Sequence, residues 1–343
     1  SFVEKNASIL SGEVTQDISL SDYFAINTSI TGDLKSWDLK IDTDLNSLDF
    51  DRFSNAFRAL ITLDKSIDLN SKKTDFRKNI KSQNNELKFQ LYGAYRQRVV
   101  RSFSGDEEIY LGKGFTISNE KSWETNKDLK HKFSLNYDIG EFEAKETNSN
   151  NLKISIRNVF TATYENEIPI WQKQNTLDQI DISYKYSPEV IKPGLIWLST
   201  VKSGIYFYGD DSQQNAISFS SGPRIIFGTF KKKFFDYTGL NLQANFIIKD
   251  GESPFAFDNI DDTQKLKFDL EQQIFGPLLF SYEGYINLDN SSNDYGKFSK
   301  NTYALGIKRR AYSVGAFYKQ SSQAFGIQFN VNNFNYIGSS SRF

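Results

Sequence analysis

The sequence predicts an all-β fold, an antiparallel transmembrane β-barrel, and three observations lead to this prediction. Apolar and polar residues alternate with the period of an extended strand, as where Leu278, Phe280 and Tyr282 oppose Ser281 and Glu283. The polar positions carry many charged side chains, whereas the apolar positions form continuous faces. Aromatic residues make up 15% of the chain, which favours strands and the aromatic girdles of membrane interfaces. A sheet with its apolar face towards lipid and its polar face towards a wet interior accounts for all three.

The alternation starts near the beginning of the chain and recurs to its end. It is clearest in residues 57–64, 87–98, 152–157, 180–186, 240–249, 266–271, 278–288, 303–319 and 323–331. We count about eighteen segments long enough for a tilted membrane strand, which needs roughly 9–11 residues. A charged stretch rich in Asn and Lys, roughly residues 71–85, is predicted as a long external loop. Residues 1–343 are therefore predicted to form a single outer-membrane β-barrel domain, either a whole barrel or part of a larger one.

Composition narrows the class of protein further. The chain of 343 residues contains no cysteine, which excludes disulfides and thiolate metal sites. Methionine is absent as well, even at position 1, so we expect a processed or excised piece. The net charge of -1 provides no basic field for nucleic acid, and no nucleic-acid partner is expected. No cofactor is expected either.

A water-soluble β-sandwich, barrel or solenoid is the alternative fold. Such folds bury one face of each strand in a dry core. The repeated Lys, Arg, Asp and Glu on the polar faces argue against that arrangement, although a solenoid or half-solvated sheet could turn them towards water. The soluble alternative therefore stays open at this point.

Several short segments in the second half of the chain resemble a known family. They are SGPRIIFG at Ser221 to Gly228, FFDYTGLN at Phe234 to Asn241, Gly276-Pro277-Leu278, Arg309-Arg310, AYSVGAFY at Ala311 to Tyr318, GIQFNV at Gly326 to Val331, and the terminal Ser341-Arg342-Phe343. In order and spacing they resemble the C-terminal barrel region of the cyanobacterial type of LptD, the lipopolysaccharide-assembly protein. The likeness is best over residues 192–343, and the earlier part matches only in style.

The resemblance implies a transporter in the cell outer membrane. Such a protein receives lipopolysaccharide from periplasmic lipopolysaccharide-bridge proteins and releases it into the outer leaflet, so its partners are lipopolysaccharide, outer-membrane lipids and those bridge proteins. The chain departs from the family in two respects: no separate N-terminal domain is visible, and the strands are fewer than in the family's usual barrel. A diffusion porin or solute channel is the first alternative function, and a structural or adhesive surface β-protein is the second.

Basic residues on the polar faces are the candidate substrate contacts, because Lys and Arg make charge-assisted hydrogen bonds to phosphate. They are Arg58, Lys88, Arg96, Arg98, Lys153, Arg157 and Lys249, with Lys185 and Lys267 as further candidates. The alternative is that these charges hydrate and brace a lumen, as in any porin. Lys231, Lys232 and Lys233 stand between aromatic residues and are candidate contacts for anionic lipid headgroups; a solvated turn is the competing interpretation.

Two further features receive simpler interpretations. His131 is the only histidine and has no supporting motif for acid–base or nucleophilic catalysis, so we expect the protein not to be an enzyme. Asp258, Asp261 and Asp262 could hold calcium through oxygen ligands, but their spacing is not that of an EF-hand. A polar loop is the prediction there.

Overall fold

The structure is a computed structural model that describes most of the chain. The described residues are 2–3, 26–34, 36–45, 57–69, 80–101, 105–125, 128–173, 192–229, 232–260, 262–292, 294–309, 312–320 and 324–331. Within these ranges the regular structure consists of strands. They contain no helix of the length and hydrophobicity needed to span a membrane.

In the part of the chain that the structure describes, sixteen strands form one sheet. Their bounds are β1 (Phe2–Val3), β2 (Ile26–Leu34), β3 (Trp37–Leu45), β4 (Phe57–Asp68), β5 (Ile80–Arg101), β6 (Gly105–Thr125), β7 (Lys130–Lys145), β8 (Leu152–Gln172), β9 (Gly194–Tyr208), β10 (Gln213–Phe227), β11 (Thr238–Gly251), β12 (Gln264–Phe275), β13 (Leu278–Asn287), β14 (Phe298–Lys308), β15 (Tyr312–Lys319) and β16 (Ala324–Val331).

The sheet is an antiparallel meander. From β2 to β16 each strand pairs with the next along the chain, and β1 pairs with β16 through Phe2 opposite Ile327 and Val3 opposite Gly326. The strand order therefore runs from β1 through β16 back to β2, and no pairing between β1 and β2 is present among the described residues. The all-β antiparallel prediction is confirmed, whereas a closed barrel is more than this sheet shows.

The two faces of the sheet differ in the way the sequence predicts. Side chains of Tyr137, Phe160 and Ile205 share one face through direct strand register, and large apolar residues on this face are exposed, with Ile154 at 66%. We call it the apolar face. The opposite face, here the polar face, carries Arg157, whose side chain is only 15% exposed. A sheet that exposes large apolar residues on one face and covers an arginine on the other is inverted relative to water-soluble proteins.

The longest strands exceed the span of a bilayer. β5 has 22 residues and β6 has 21, so at about 3.3 Å per residue each is roughly 70 Å long. The predicted loop of residues 71–85 is wrong at its end, because β5 stays paired with β6 as far back as Ile80, opposite Thr125, with a register shift between Ile80 and Ser82. The predicted strand at residues 180–186 lies outside the described residues.

Candidate functional site

A loop lies across the polar face at one end of the sheet. It is the connection between β11 and β12, residues 252–263, and we call it the cross-strand loop. Its Ala256 N–H donates to the Lys145 carbonyl at 2.9 Å, and its Pro254 carbonyl accepts from the Thr147 N–H at 2.9 Å. The loop thus starts at β11 and reaches the end of β7, passing β10, β9 and β8.

An aromatic contact seats this loop on the sheet. Phe255 is 0% exposed. Its ring centre lies 6.5 Å from that of Phe142 on β7 and 6.0 Å from that of Tyr208 on β9, both in edge-on geometry. Burial of an aromatic side chain is a large apolar contribution, so the loop is packed against the sheet rather than solvated.

An arginine provides the polar half of the attachment. The Arg157 Nε and Nη2 atoms donate to the two carboxylate oxygens of Asp258 at 2.7 and 2.9 Å, and Nη1 donates to Asp138 at 2.7 Å. The Tyr208 hydroxyl donates to Asp258 at 2.7 Å. A guanidinium removed from water needs compensation of this quality, since desolvation otherwise costs several kcal/mol. Asp138 and Asp258 together supply it.

Two neighbouring strands donate further hydrogen bonds to Asp138. The Tyr92 hydroxyl on β5 and the Thr116 hydroxyl on β6 both donate to Asp138 Oδ1 at 2.9 Å. Gly114 and Gly140 make room for the Tyr92 side chain, because a Cβ at either position would stand 2.4 or 2.7 Å from the Tyr92 hydroxyl oxygen. Glycines on β6 and β7 thereby let a tyrosine from β5 reach Asp138. We call Arg157, Asp138 and Asp258 the ion cluster.

The far side of the loop is tied to β10 and β11. Gln214 is 0% exposed; its Nε2 donates to the Asp258 carbonyl at 3.0 Å and its Oε1 accepts from the Ile260 N–H at 3.3 Å. The Lys249 ammonium donates to the Ile260 carbonyl. The loop is therefore held through both main chain and side chains by strands β7 to β11.

Three of the predicted lumen lysines form ion pairs, and one of them, Lys267, lies 2.9 Å from Asp269 on its own strand β12. Lys153 lies 2.6 Å from Asp210 and joins the turn after β9 to β8. Burial alone would raise the pKa of Asp210, but hydrogen bonds from Lys153 and Ser212 outweigh it and lower that pKa to about 2. Lys88 lies 3.1 Å from Asp64 on β4.

The three predicted arginines on β4 and β5 lie in less regular surroundings. Arg58 stands opposite Asp44 in the register of β3 and β4. Arg96 has a φ of 54° and lies over the Tyr110 ring at 5.5 Å. A residue in this left-handed conformation interrupts the alternation of side chains between the two faces. The faces of the β5 residues before Arg96 therefore do not predict the faces of those after it. Arg98 is opposite Glu108 in register, and its side chain lies outside the description.

The structure brings together Lys153, Arg157 and Lys249 beside the cross-strand loop and leaves Arg58, Lys88 and Arg96 on β4 and β5. The contacts described for Lys88, Lys153, Arg157 and Lys249 are to groups of the chain itself. Their predicted contact with a phosphorylated cargo stays a prediction, since a phosphate would compete with carboxylates already in place. Lys185 lies outside the described residues.

The lysine–aromatic segment before β11 is anchored by a buried glutamine. Gln273 is 0% exposed; its Oε1 accepts from the Asp236 N–H at 2.9 Å, and its Nε2 donates to the Lys232 carbonyl at 3.2 Å. Lys232 and Lys233 are exposed, and the Phe234 ring lies 4.9 Å from that of Phe275. Lys231 lies outside the described residues. Contact of these lysines with lipid headgroups stays a prediction.

Sequence reasoning did not find the centre of this site. Asp258 lies in a loop, as predicted, but the sequence did not predict that this loop is packed on the sheet and that Asp258 binds Arg157. No cluster with metal-ligand geometry occurs among the described residues, and Asp261 is not among them. The available signal was the apolar run Pro254 to Phe257 inside a predicted loop.

The single histidine lies on the apolar face. His131 Nδ1 is 2.8 Å from the Tyr164 hydroxyl, and its ring stacks on Trp123 with centres 5.0 Å apart. The described contacts of His131 are thus aromatic ones. That the protein is not an enzyme stays a prediction.

Two adjoining cavities open on the polar face beyond the cross-strand loop. The larger, of about 400 Å³, lies over β10 to β14, and the smaller, of about 260 Å³, lies over β12 to β15. Glu271 and Ser281 line both. The polar face is therefore covered over β7 to β11 at one end and grooved on the side nearer β16.

Comparison with known proteins yields one family. A family model described as a protein of unknown function, DUF3769, matches residues 2–335. No curated protein matches the chain. Because the match extends over nearly all of the sheet, the chain belongs to the DUF3769 family.

Proposed function

We propose that this chain is an outer-membrane β-barrel that transports lipopolysaccharide, with the sugar part passing along the polar face and the acyl chains leaving sideways into the bilayer. The observation that carries the proposal is the inverted sheet, whose exposed apolar face suits lipid while its charged face suits a hydrated substrate. The LptD-like segments of the second half add the identity of the cargo.

The strand order supports closure into a barrel. A membrane leaves no sheet edge unpaired, because each unsatisfied backbone group in hydrocarbon costs several kcal/mol. The meander already places its first strand beside its last, β1 beside β16. Closing the ring requires one more pairing, between β1 and β2, which follow each other in the chain.

The same order indicates where lipid would leave. Every other paired junction joins strands that follow each other directly in sequence. β1 and β16 are the first and last strands in chain order, so separating them breaks backbone hydrogen bonds without stretching a direct connection. The two cavities lie over β10 to β15, which are the strands nearest to the β1–β16 junction on one side. A path along the polar face from the grooves to the β1–β16 seam avoids the region that the cross-strand loop covers.

Site-specific photo-crosslinking in cells tests the proposal. A probe at Gln243, on the polar face of β11, is expected to form adducts with lipopolysaccharide. A probe at Phe246, on the apolar face of the same strand and 47% exposed, serves as the matched control because it meets membrane lipid from outside. Lipopolysaccharide adducts at both positions alike, or at neither, would contradict passage along the polar face.

A solute channel is the second candidate, and the charged polar face with its cavities favours it. A channel predicts steady ion conductance of the purified protein in planar bilayers and no lipopolysaccharide adduct at Gln243. An adhesive or structural protein predicts neither conductance nor adduct. The two measurements together therefore separate the three functions.

A further inference from the structure

The cross-strand loop takes up part of the space that the polar face would enclose in a barrel. It starts at β11 and reaches the end of β7, so it lies across five neighbouring strands. With strands about 4.8 Å apart it covers a width of roughly 19 Å, and a layer packed on a sheet is about 10 Å thick. A loop of this size on the inner face of a closed sheet would fill much of the interior.

The contacts in the middle of the loop are those of a fixed element. Phe255 and Ala256 are buried, at 0% and 6% exposure. The Arg157 guanidinium, which binds Asp258, lies 5.8 Å from the ring centre of Phe142 on the sheet and 5.9 Å from that of Phe257 in the loop. A cation between desolvated aromatic rings is attracted to both. The ion cluster and the aromatic rings therefore hold the same part of the loop to the sheet.

Both ends of the crossing are held as well. The Thr147 hydroxyl, after β7, donates to the Ser253 carbonyl at 2.7 Å. At the other end, the Ile247 N–H of β11 donates to the Thr263 carbonyl at 2.7 Å. The loop is thus attached to the sheet at its start, middle and end, so its position on the polar face is set by the fold.

The space left beside the loop follows from the number of strands. Sixteen strands tilted by about 40° close into a barrel with a backbone radius of about 16 Å, and side chains that reach about 5 Å inward leave a cross-section of about 380 Å². A layer about 19 Å wide and about 10 Å thick takes up roughly half of that cross-section. The remaining space lies over strands that the loop does not cross, among them β12 to β15, where the smaller cavity lies.

We propose that the cross-strand loop is a fixed constriction that sets the size limit of the interior passage, with Phe255 and the ion cluster as its anchors. The inference rests on the proposed closure of the sheet into a membrane barrel. It holds equally for a passage that carries lipopolysaccharide and for one that carries small solutes.

Ion conductance of the full purified chain in planar bilayers tests the proposal. A variant that lacks residues 254–259 loses the part of the loop that crosses the polar face. In about 1 M KCl, where fixed charges are screened within about 3 Å, the current reports mainly the open cross-section. The shortened variant is expected to conduct about twice as well as wild type, in proportion to the cross-section that it frees.

A disulfide separates a fixed constriction from a moving gate. Lys145 and Ala256 flank the bridge between Glu146 and Phe255 and share a main-chain hydrogen bond, which gives a Cα separation of about 5.5 Å that a disulfide can span. Oxidation of Lys145→Cys with Ala256→Cys is expected to leave the conductance at the wild-type level, because the loop is already seated. A fall on oxidation that a reductant reverses would show that the loop opens, and would overturn the fixed constriction.

Asp64→Asn is the matched control for charge. The shortened variant removes the Asp258 carboxylate from Arg157, and Asp64→Asn removes the carboxylate that lies 3.1 Å from Lys88 on the same face while the loop stays in place. This variant is expected to conduct as wild type does. Retained β-sheet circular dichroism and heat-dependent electrophoretic mobility show that the variants fold.

The outcomes distinguish failure of this inference from failure of the proposed function. Equal conductance of wild type and the shortened variant would overturn the constriction and leave the barrel in place. A rise in Asp64→Asn as large as in the shortened variant would assign the effect to charge and would also overturn it. No conductance in either wild type or the shortened variant would overturn the constriction together with the hydrated interior.

Discussion

Replacement of Asp258 by Asn is expected to release the cross-strand loop from the sheet. Three hydrogen bonds converge on the Asp258 carboxylate, two from Arg157 and one from Tyr208. Both ion-pair partners are largely covered, with side-chain exposures of 15% for Arg157 and 11% for Asp258. Asn can accept through only one oxygen and presents its amide hydrogens to the guanidinium.

The magnitude follows from the burial of the pair. Breaking a buried ion pair by removing one partner costs about 3–5 kcal/mol. Asp138 remains as a second partner of Arg157, so we take the lower end, about 3 kcal/mol. Since about 1.4 kcal/mol corresponds to a factor of ten, loop opening should become roughly a hundredfold more frequent.

Hydrogen exchange of the main-chain amides provides the assay. The Ala256 amide, bonded to the Lys145 carbonyl, should exchange about a hundred times faster in Asp258→Asn by the same conversion. Asp64→Asn is the control and should leave this amide unchanged. If the Ala256 amide of Asp258→Asn exchanged within about threefold of the wild-type rate, the substitution would have changed the free energy of loop opening by less than about 1 kcal/mol. That result would refute the view that Arg157 holds the loop.

Three further predictions concern the turns. The pKa of Asp210 is lower in the folded chain, at about 2, so its bond to Lys153 should add about 1 kcal/mol that is present above pH ~4 and lost as pH falls towards 2; urea unfolding of Asp210→Asn should lack this acid-dependent part. Gly228→Ala should destabilise far more than Gly276→Ala in the same assay, since both have positive φ but only at Gly228 would a Cβ meet a backbone oxygen, at 1.4 Å. Gln273→Ala should expose its segment to limited proteolysis, because it removes about 2–4 kcal/mol of buried hydrogen bonding, and equal cleavage in wild type would contradict this.

Alternation predicted the sheet because it reports a local property. Successive side chains of a strand point to opposite faces of the sheet. The apolar face of β13 and the polar face that carries Lys267 and Asp269 therefore follow directly from the residue order. Register was less accessible even beside a short turn such as Gly276-Pro277, because the pairing of β12 with β13 shifts between Gln273 and Phe275. The number of strands and the start of β5 were less accessible, because polar residues also extend a strand when a neighbour supplies hydrogen bonds.

The ion cluster was inaccessible for a different reason. Asp258 lies 101 residues after Arg157 in the chain, and their pairing depends on a loop that folds back across three strands. No periodicity encodes such a return. Phe255 within a loop was the one local sign that part of the connection is buried, and it does not name the surface that buries it.

Disulfide closure of the β1–β16 seam tests the central claim, lateral release of lipopolysaccharide, most directly. The chain has no cysteine, so an engineered pair is unambiguous. Phe2→Cys with Ile327→Cys bridges the seam, and Ala316→Cys with Ile327→Cys bridges the β15–β16 hairpin as the matched control, since Ile327 is opposite both residues. We predict that oxidising the seam pair stops lipopolysaccharide from reaching the cell surface, that a reductant restores it, and that the hairpin pair has no effect. Undiminished surface lipopolysaccharide with the seam fully crosslinked would contradict the account.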